Sequence, residues 1–299
     1  MRLRAATRGS ALARRQTELV ADLLGPDVDV EPVIVSTAGD RNQDVPIHAM
    51  GGQGVFVKEV QAAVLDGRAD IAVHSAKDLP STTPDGLVIA AVPERSDARD
   101  ALVGNTLEGL PVAGTVATGS VRRRAQLSWH RPDLTFTGLR GNIETRLAQA
   151  EGFDAIVVAA AALDRIGRSG AIAELLDVDL VVPQVGQGAL AVECRAGDED
   201  VRAALDAIEH VPSRRAVDAE RAYLAGIGGG CDLPVGAYAT ERRDGGLLMR
   251  AVLASLDGRV LLRHVAEGDD PSELGARVAS FLLDEAGGRD LLSDLELLP

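Results

Sequence analysis

The stretch IAVHSAKDLPSTTP, Ile71 to Pro84, gives the first indication of the fold. Its first five residues are typical of a buried strand, and the residues after Lys77 are typical of a loop, because Pro80 and Pro84 interrupt any regular element. A buried strand that passes directly into a polar loop is typical of a sheet whose faces are covered by helices. The stretch therefore predicts an α/β fold.

The residues on either side repeat this alternation. The segment LRAAT predicts a strand, and Ser10 predicts the N-cap of a helix that runs to Leu24 and stops at Gly25. The segment VEPVIVST predicts a second strand, and a helix is expected from Val55 to Leu65. The first part of the chain therefore predicts an α/β domain.

The pattern restarts after AAVPERSDARDAL, where TVAT, LTFTGL and DAIVVAA each predict a strand that leads into a helix. The segment PQVGQGALAVECR predicts a strand that returns to the first domain. Beyond Pro212 we expect a helix, two strands joined by an Asp257-Gly258 turn, and a final helix. These patterns predict two α/β domains and a small C-terminal α+β domain, with domain 1 at residues 1–93 and 189–207, domain 2 at 98–185 and domain 3 at 212–299.

Composition excludes several classes of function. The net charge of −14 argues against a nucleic-acid-binding protein, which needs a cationic surface. The apolar run Ala155–Leu163 is too short to span a membrane, and no basic and apolar leader opens the chain. Two cysteines, Cys194 and Cys231, provide no disulfide framework. We therefore expect a cytoplasmic protein, with no membrane and no nucleic-acid partner.

Arginine dominates the basic residues, because lysine occurs only at Lys58 and Lys77 among the 31 lysines and arginines. The guanidinium fork binds carboxylates through two parallel hydrogen bonds, which lysine cannot do. Five predicted strands end in polar or basic residues, in the segments TRGS, HSAKD, TGSVRRR, LRGN and LDR. Ligands of open α/β sheets bind at such strand ends, so the pattern predicts a site for a ligand with several carboxylates.

Lys77 and Asp78 directly follow the predicted strand Ile71–Ser75. An arbitrary Lys-Asp pair is usually a solvated turn. At a strand end stiffened by Pro80, however, the carboxylate could accept N–H hydrogen bonds or move protons.

The arginine segments also allow two interpretations. In TGSVRRR the backbone N–H groups at a helix start could bind an anion together with Arg122 and Arg123, or the arginines could form a solvated basic face, to which we assign Arg124. In LRGNIETRL, Asn142 is expected to cap a helix, and Arg140 and Arg146 could hold one carboxylate from two sides. Arg8 in TRGS and Arg165 in LDR repeat the pattern.

The two cysteines differ in their surroundings. Cys194 lies in an alternating strand and is expected to be buried. Cys231 follows Gly228, Gly229 and Gly230 in GIGGGCDLPVG. It could be a buried structural thiol. A metal ligand is poorly supported, because the other cysteine and the histidines show no ligand spacing. A catalytic nucleophile is also poorly supported, because the sequence suggests no histidine base and no oxyanion hole. We therefore favour an exposed attachment point for a thioether and predict no metal site.

Over essentially its whole length the chain resembles the porphobilinogen deaminase (hydroxymethylbilane synthase) family. The resemblance is carried, in order, by RAATRGSALA, GVFVKEVQAAVLDGRADIAVHSAKDLP, GSVRRRAQL, RPDLTFTGLRGNIETRL, DAIVVAAAALDRIG, VPQVGQGALAVECR and GGGCDLPVGAYA. It implies three domains, of which the first two are like the lobes of a periplasmic-type binding protein and are connected by two chain crossings.

The resemblance also implies the reaction. Cys231 would carry a dipyrromethane cofactor through a thioether, and four molecules of porphobilinogen would be added in turn, each losing ammonia. Hydrolysis would then release linear hydroxymethylbilane. Asp78 would be the catalytic carboxylate that stabilises positive charge on pyrrole nitrogen and moves protons.

The resemblance further implies which residues bind the cofactor and the substrate. Each pyrrole carries an acetate and a propionate, so the ligand accumulates negative charge. The residues that match the family's binding positions are Arg8, Ser10, Lys58, Ser75, Lys77, Thr118, Ser120, Arg122, Arg123, Arg140, Asn142, Arg146, Arg165 and Gln187.

Two positions depart from the family pattern. Gln53 stands where lysine is usual, and Gly119 stands where many members have serine, so we expect weaker or rearranged carboxylate contacts. The alternative function is a non-catalytic, two-lobed carboxylate-binding protein, which gives no purpose to Cys231 or Asp78. We expect a monomeric enzyme whose partner is porphobilinogen.

Overall fold

The computed structural model of the chain describes residues 1–37, 39, 57–229 and 233–296. The chain divides into two compact units. Unit 1 comprises Met1–Ser96 and Gly188–Arg214, and unit 2 comprises Asp97–Gln187 and Arg215–Pro299. Each unit is therefore built from two separate parts of the chain.

Unit 1 contains a five-stranded sheet in the order β2-β1-β3-β10-β4. Strands β2, β1 and β3 are parallel to one another, and β10 runs antiparallel to both β3 and β4. The strands are β1 (Arg2–Arg8), β2 (Asp29–Val35), β3 (Ile71–Ser75), β4 (Leu87–Ala91) and β10 (Leu190–Arg195). The helices are α1 (Ala11–Leu24), α2 (Lys58–Leu65), α6 (Glu199–Leu205) and the start of α7 (Val211–Ile227).

The caps of α1 agree with the sequence prediction. Ser10 accepts a hydrogen bond from the Ala13 amide at 3.2 Å, and Gly25 ends the helix with φ 74°. Ser10 satisfies an amide of the first turn, and glycine adopts a positive φ without strain. Residues 55 and 56, where the sequence predicts the beginning of α2, lie outside the described residues.

Apolar side chains cover both faces of this sheet. One face packs Leu3, Val20, Ile71 and Val192 into a core. The other packs Ala6 and Ala72 against residues of α2, namely Val60, Ala63 and Val64. Because helices cover both faces, the polar ends of the strands are left as the place for a ligand.

Unit 2 contains a second sheet with the same arrangement, in the order β7-β6-β8-β5-β9. Strands β6, β7 and β8 are parallel, and β5 runs antiparallel between β8 and β9. The elements are β5 (Asp100–Val103), β6 (Thr115–Ala117), α3 (Val121–His130), β7 (Thr135–Thr137), α4 (Ile143–Ala148), β8 (Ala155–Ala159), α5 (Ala160–Arg165) and β9 (Ile172–Leu175). In each sheet the antiparallel strand, β10 in unit 1 and β5 in unit 2, is the first strand after the chain crosses from the other unit. The two sheets therefore share one topology. This repeated arrangement confirms the two α/β domains that the sequence predicts.

The rest of unit 2 is a three-stranded antiparallel sheet in the order β11-β12-β13. Its strands are β11 (Val235–Glu241), β12 (Leu247–Ala254) and β13 (Leu261–Gly268), and its helices are α7, α8 (Pro271–Ser280) and α9 (Gly288–Glu296). The predicted hairpin turn is confirmed, with Gly258 at φ 72° between β12 and β13. The sequence analysis did not predict β11, and it expected one terminal helix where the structure has two.

The close packing of α8 against α7 requires glycine at position 275. A Cβ atom on Gly275 would lie 2.2 Å from the Ala219 carbonyl oxygen and 2.7 Å from Ala222 Cβ. We expect Gly275→Ala to lower the free energy of unfolding by about 1–3 kcal/mol, because the two helices must move apart. Gly152→Ala, which meets no atom within 4 Å, should change it by less than about 0.5 kcal/mol. Denaturant unfolding of both variants tests the contact, and equal midpoints would contradict it.

Candidate functional site

In unit 1, the predicted site residues gather where the parallel strands end. Arg8 is the last residue of β1 and Ser75 is the last residue of β3. The register pairs Ala6 with Ala72, which brings these two strand ends to the same edge of the sheet. Ser10 caps α1 just beyond the edge. We call the unit 1 edge the set Arg8, Ser10, Lys58, Ser75, Lys77 and Asp78.

A single turn of 3₁₀ helix, Ala76–Asp78, presents the two charged residues of this edge. The Ala76 amide donates to the Ala189 carbonyl at 3.0 Å, and Leu79 is buried on the far side of the turn. These two attachments hold the turn, while Lys77 and Asp78 remain half-buried. Lys58 is exposed at the first position of α2.

In unit 2, Thr118 and Ser120 follow β6 and form the start of α3. The Thr118 amide donates to the Thr137 carbonyl at 2.9 Å, and the Ser120 amide donates to Thr118 Oγ1 at 3.2 Å. Ser120 then caps α3 by accepting from the Arg123 amide at 3.4 Å. The turn before the arginine segment is thus fixed by its own hydroxyl groups.

Arg122 and Arg123 bind a carboxylate of the protein itself. Arg122 donates to Asp100 Oδ2 at 2.8 Å, and Arg123 Nε donates to Asp100 Oδ1 at 2.9 Å. Further donors of the two guanidinium groups reach the Val182 and Val157 carbonyls, at 2.6 and 3.0 Å. Gln187 donates to Asp100 Oδ1 at 2.8 Å and to the Ala98 carbonyl at 2.7 Å.

This arrangement, the Asp100 cluster of Asp100, Arg122, Arg123 and Gln187, is buried throughout. Burial alone would raise the pKa of the Asp100 carboxyl, but the charges of Arg122 and Arg123 outweigh it and lower that pKa to about 2. Burial lowers the pKa of Arg122. The carboxylate therefore stays ionised because its two cationic partners are buried with it.

The sequence analysis did not identify Asp100. The family resemblance matched Arg122 and Arg123 to carboxylate-binding positions and Gln187 to the polar lining of the site. In the structure all three side chains bind the Asp100 carboxylate of β5. The available signal was an acid inside the apolar segment DALV, which needs a buried counter-charge.

Arg140, Asn142 and Arg146 lie around the turn between β7 and α4. Asn142 caps α4 as predicted, with its Oδ1 accepting from the Thr145 amide at 2.9 Å. Arg146 Nε donates to the Gly141 carbonyl at 2.9 Å, and Arg140 is half-buried. Arg165, buried at the end of α5, follows β8, the strand beside β6. We call the unit 2 edge the set Thr118, Ser120, Arg140, Asn142, Arg146 and Arg165.

Gly119 brings the two turns of this edge close together. A Cβ atom at this position would lie 2.7 Å from the Leu139 carbonyl oxygen. The place that a serine side chain would take is therefore occupied by the turn that carries Arg140. Gln53, the other departure from the family pattern, lies outside the described residues.

Cys231 also lies outside the described residues, but the elements on both sides of it are firmly attached. Glu220 on α7, fully buried, accepts from the Gly186 amide at 2.7 Å and from the Ala239 amide of β11 at 2.8 Å. Gly236 packs so closely that a Cβ atom would lie 2.7 Å from the Pro183 carbonyl oxygen. The segment that bears Cys231 therefore begins and ends on elements anchored to residues 183–186.

The remaining site predictions concern cysteine, metals and membranes. Cys194 is buried in β10, as predicted, and burial raises the pKa of its thiol. Within the described ranges, no group of three or more histidine, cysteine or acidic residues could hold a metal ion. No helix of those ranges has both the length and the apolar character needed to cross a membrane.

The chemistry of the two edges suits a ligand with carboxylate side chains. Arginine, lysine and hydroxyl groups are all donors that bind carboxylate oxygens, and Asp78 is the one acid in the two sets. Each edge by itself offers donors of the kind that bind the acetate and propionate groups of a dipyrromethane.

Comparison with known proteins gives the same answer. The family described as "Porphobilinogen deaminase, dipyromethane cofactor binding domain" matches residues 3–203, and "Porphobilinogen deaminase, C-terminal domain" matches residues 215–284. Three proteins named porphobilinogen deaminase are similar to this chain over nearly its whole length. The one from Brevibacillus brevis is 45% identical to it, and the match covers 97% of this chain and 96% of the relative. The one from Roseiflexus sp. is 48% identical, with 96% and 97% covered, and the one from Bacillus subtilis is 40% identical, with 97% and 95% covered.

Solved structures show a fainter similarity. A YaeC-family lipoprotein from Enterococcus faecalis is 14% identical with a TM-score of 0.40, covering 70% of this chain and 91% of its own. At that score the likeness adds nothing to the topology seen in the two sheets. The two family matches and the relatives of 40–48% identity decide the question: the chain belongs to the porphobilinogen deaminase family.

Proposed function

We propose that Asp78 is the catalytic carboxylate of the deaminase reaction and that Cys231 carries the dipyrromethane cofactor through a thioether. The observation that carries the first part is the 3₁₀ turn Ala76–Asp78. It places a half-buried carboxylate at a strand edge otherwise made of cations and hydroxyl groups. The function is that of the family, the condensation of porphobilinogen with loss of ammonia.

Asp78 acts on pyrrole nitrogen in this proposal. Positive charge develops on that nitrogen when a new bond forms at the ring, and a carboxylate within hydrogen-bond reach stabilises the charge. The same carboxylate can hold the proton that leaves the ring and return it to a leaving amine. Since the turn is fixed by Ala189 and Leu79, Asp78 needs little reorganisation for either step.

The cations bind the carboxylates of the substrate and of the growing chain. On the unit 1 edge these are Arg8, Lys58 and Lys77, and on the unit 2 edge Arg140, Arg146 and Arg165. Ser10, Ser75, Thr118, Ser120 and Asn142 supply neutral polar groups. When bound, the dipyrromethane supplies the pyrrole carbon to which substrate is added.

Arg122, Arg123 and Gln187 belong to the site in a different way. Their polar groups bind Asp100, Val182, Val157 and Ala98, and we propose that they fix the start of α3 and thereby Thr118 and Ser120. They would then determine where the unit 2 edge presents its donors.

We also propose the domain division of residues 1–93 with 189–207, 98–185 and 212–299, and a monomer in the cytoplasm. The three-stranded sheet has its own apolar core, with Tyr223, Met249, Leu253 and Val278 buried in it, which supports a separate third domain. The presence of only two cysteines supports a reducing compartment.

Intact mass spectrometry of the denatured protein tests the attachment. We expect an added mass of two linked pyrroles on the unaltered chain and on Cys194→Ser, which removes the other thiol. The adduct should be absent from Cys231→Ser. A polypeptide that stays bare after incubation with porphobilinogen would favour the non-catalytic carboxylate-binding protein.

A further inference from the structure

Unit 1 contains a buried polar cluster outside the site described above. Glu193 on β10 is fully buried, and His74 on β3 and Gln61 on α2 are each at most 5% exposed. Gln61 Nε2 lies 3.0 Å from both carboxylate oxygens of Glu193. His74 Nε2 lies 3.1 Å from Glu193 Oε2, a close polar approach without the alignment of a hydrogen bond.

These three residues connect the elements that carry the unit 1 edge. Gln61 lies one turn beyond Lys58, the first residue of α2. His74 directly precedes Ser75 and lies four residues before Asp78. Glu193 reaches both from β10, whose register places it opposite Ala72. One carboxylate thus contacts both the helix of Lys58 and the strand that leads to Asp78.

Most of the remaining contact between α2 and the sheet is apolar, and at the end of the helix Arg195 of β10 also donates to the Val64 carbonyl at 2.6 Å. Val60, Ala63 and Val64 pack against small residues of β1 and β3. Apolar packing holds a helix against a sheet but is not directional, so it permits sliding and rotation. Hydrogen bonds depend on distance and angle, so the Glu193 cluster fixes the part of α2 next to Lys58, whereas Arg195 holds the other end of the helix.

We infer that Glu193 is a positioning residue for the reaction, which acts through Gln61 on Lys58 and through His74 on the Ser75–Asp78 segment. The inference rests on the proposed function, because it takes Lys58 and Asp78 as site residues. Glu193 itself touches neither residue in this account. It sets where the strand end and the helix start lie with respect to each other.

The test replaces the carboxylate with an apolar side chain of similar size. In Glu193→Met, Gln61 and His74 lose their shared partner, and we expect amide hydrogen exchange in both 58–65 and 74–79 to accelerate by about tenfold or more. The turnover number should fall by about tenfold or more, since small displacements of a catalytic group are costly.

Gln61→Met separates the effect of Glu193 on α2 from its effect on the Ser75–Asp78 segment. It releases α2 but leaves Glu193 beside His74, so exchange should accelerate in 58–65 alone. KM should rise severalfold while kcat stays within about twofold, as expected when binding is weakened but chemistry is not. If Glu193→Met does not fold, this variant decides the question: exchange in 58–65 at the unaltered rate would overturn the inference.

Glu209→Gln is the matched control in the same unit. Its carboxylate accepts from the Val92 amide at 2.6 Å and from Arg214 at 2.6 Å, and neither partner belongs to the Glu193 cluster. We expect it to lower stability without changing exchange in 58–65 or 74–79. If Glu193→Met matched this control in exchange and in kcat per folded molecule, Glu193 would be structural only. Near-normal turnover of Asp78→Asn would instead refute the proposed function and leave the exchange result standing.

Discussion

Asp78→Asn is expected to lower turnover by about 10²-fold or more while leaving the protein folded. Asparagine has nearly the same shape, but it carries no negative charge and cannot take a proton, and general acid–base catalysis contributes about 10²–10⁴ in rate. Asp78 is half-buried in a turn held by backbone contacts, so the free energy of unfolding should change by less than about 0.5 kcal/mol.

The measurement is the rate of ammonia release from porphobilinogen, together with the thermal midpoint. Asp85→Asn makes the same chemical change on an exposed residue of the following loop and should retain the full rate. An Asp78→Asn variant as fast as this control would show that the carboxylate has no catalytic role.

Asp100→Asn is expected to cause the largest loss of stability, about 3–5 kcal/mol. The substitution leaves Arg122 and Arg123 buried without a counter-charge, and a buried ion left unpaired costs about that much. Equilibrium unfolding in urea at neutral pH measures the loss. Asp133→Asn, which removes a partly exposed partner of Arg131, should shift the midpoint far less because both charges can be hydrated.

The loss should also depend on pH in a defined direction. The pKa of Asp100 is lowered from 3.8 to about 2 in the folded protein, so its ionisation stabilises the fold above about pH 4. This contribution, about 2 kcal/mol by linkage, disappears as the pH falls from about 4 to 2. The stabilities of the unaltered protein and Asp100→Asn should therefore converge on acidification. A difference that stays constant down to pH 2 would contradict the burial of a charged Asp100.

The sequence predicted those features that depend on neighbouring residues. Ser10 and Asn142 cap their helices as expected, because a cap needs only an oxygen and the next three amides. The strand ends were predicted by apolar runs followed by polar residues, and the parallel arrangement brings them to common edges. Local chemistry was sufficient for the fold class, and the site residues that it indicates stay a prediction.

The buried acids could not be predicted in this way. Glu193, Glu220 and Asp100 are each fully buried, and each finds its partners far along the chain. The partner of a buried charge is determined by the tertiary fold. The sequence alone therefore shows where an acid occurs but not which residue will bind it. The same limit applies to β11, whose pairing with β12 is needed to define it as a strand.

The place of β10 between β3 and β4 has a consequence for synthesis of the chain. Strands β1, β2 and β3 can pair as soon as they leave the ribosome, but within the described part of the chain β4 pairs only with β10. The sheet of unit 1 therefore stays unfinished until residue 195 has emerged, by which time β5–β9, ending at Leu175, have already left the ribosome. During that interval β3 presents an open apolar edge, which is the kind of surface that chaperones bind and that aggregates in their absence. In this protein the last strand needed to complete the sheet of unit 1 is also the one that carries Glu193.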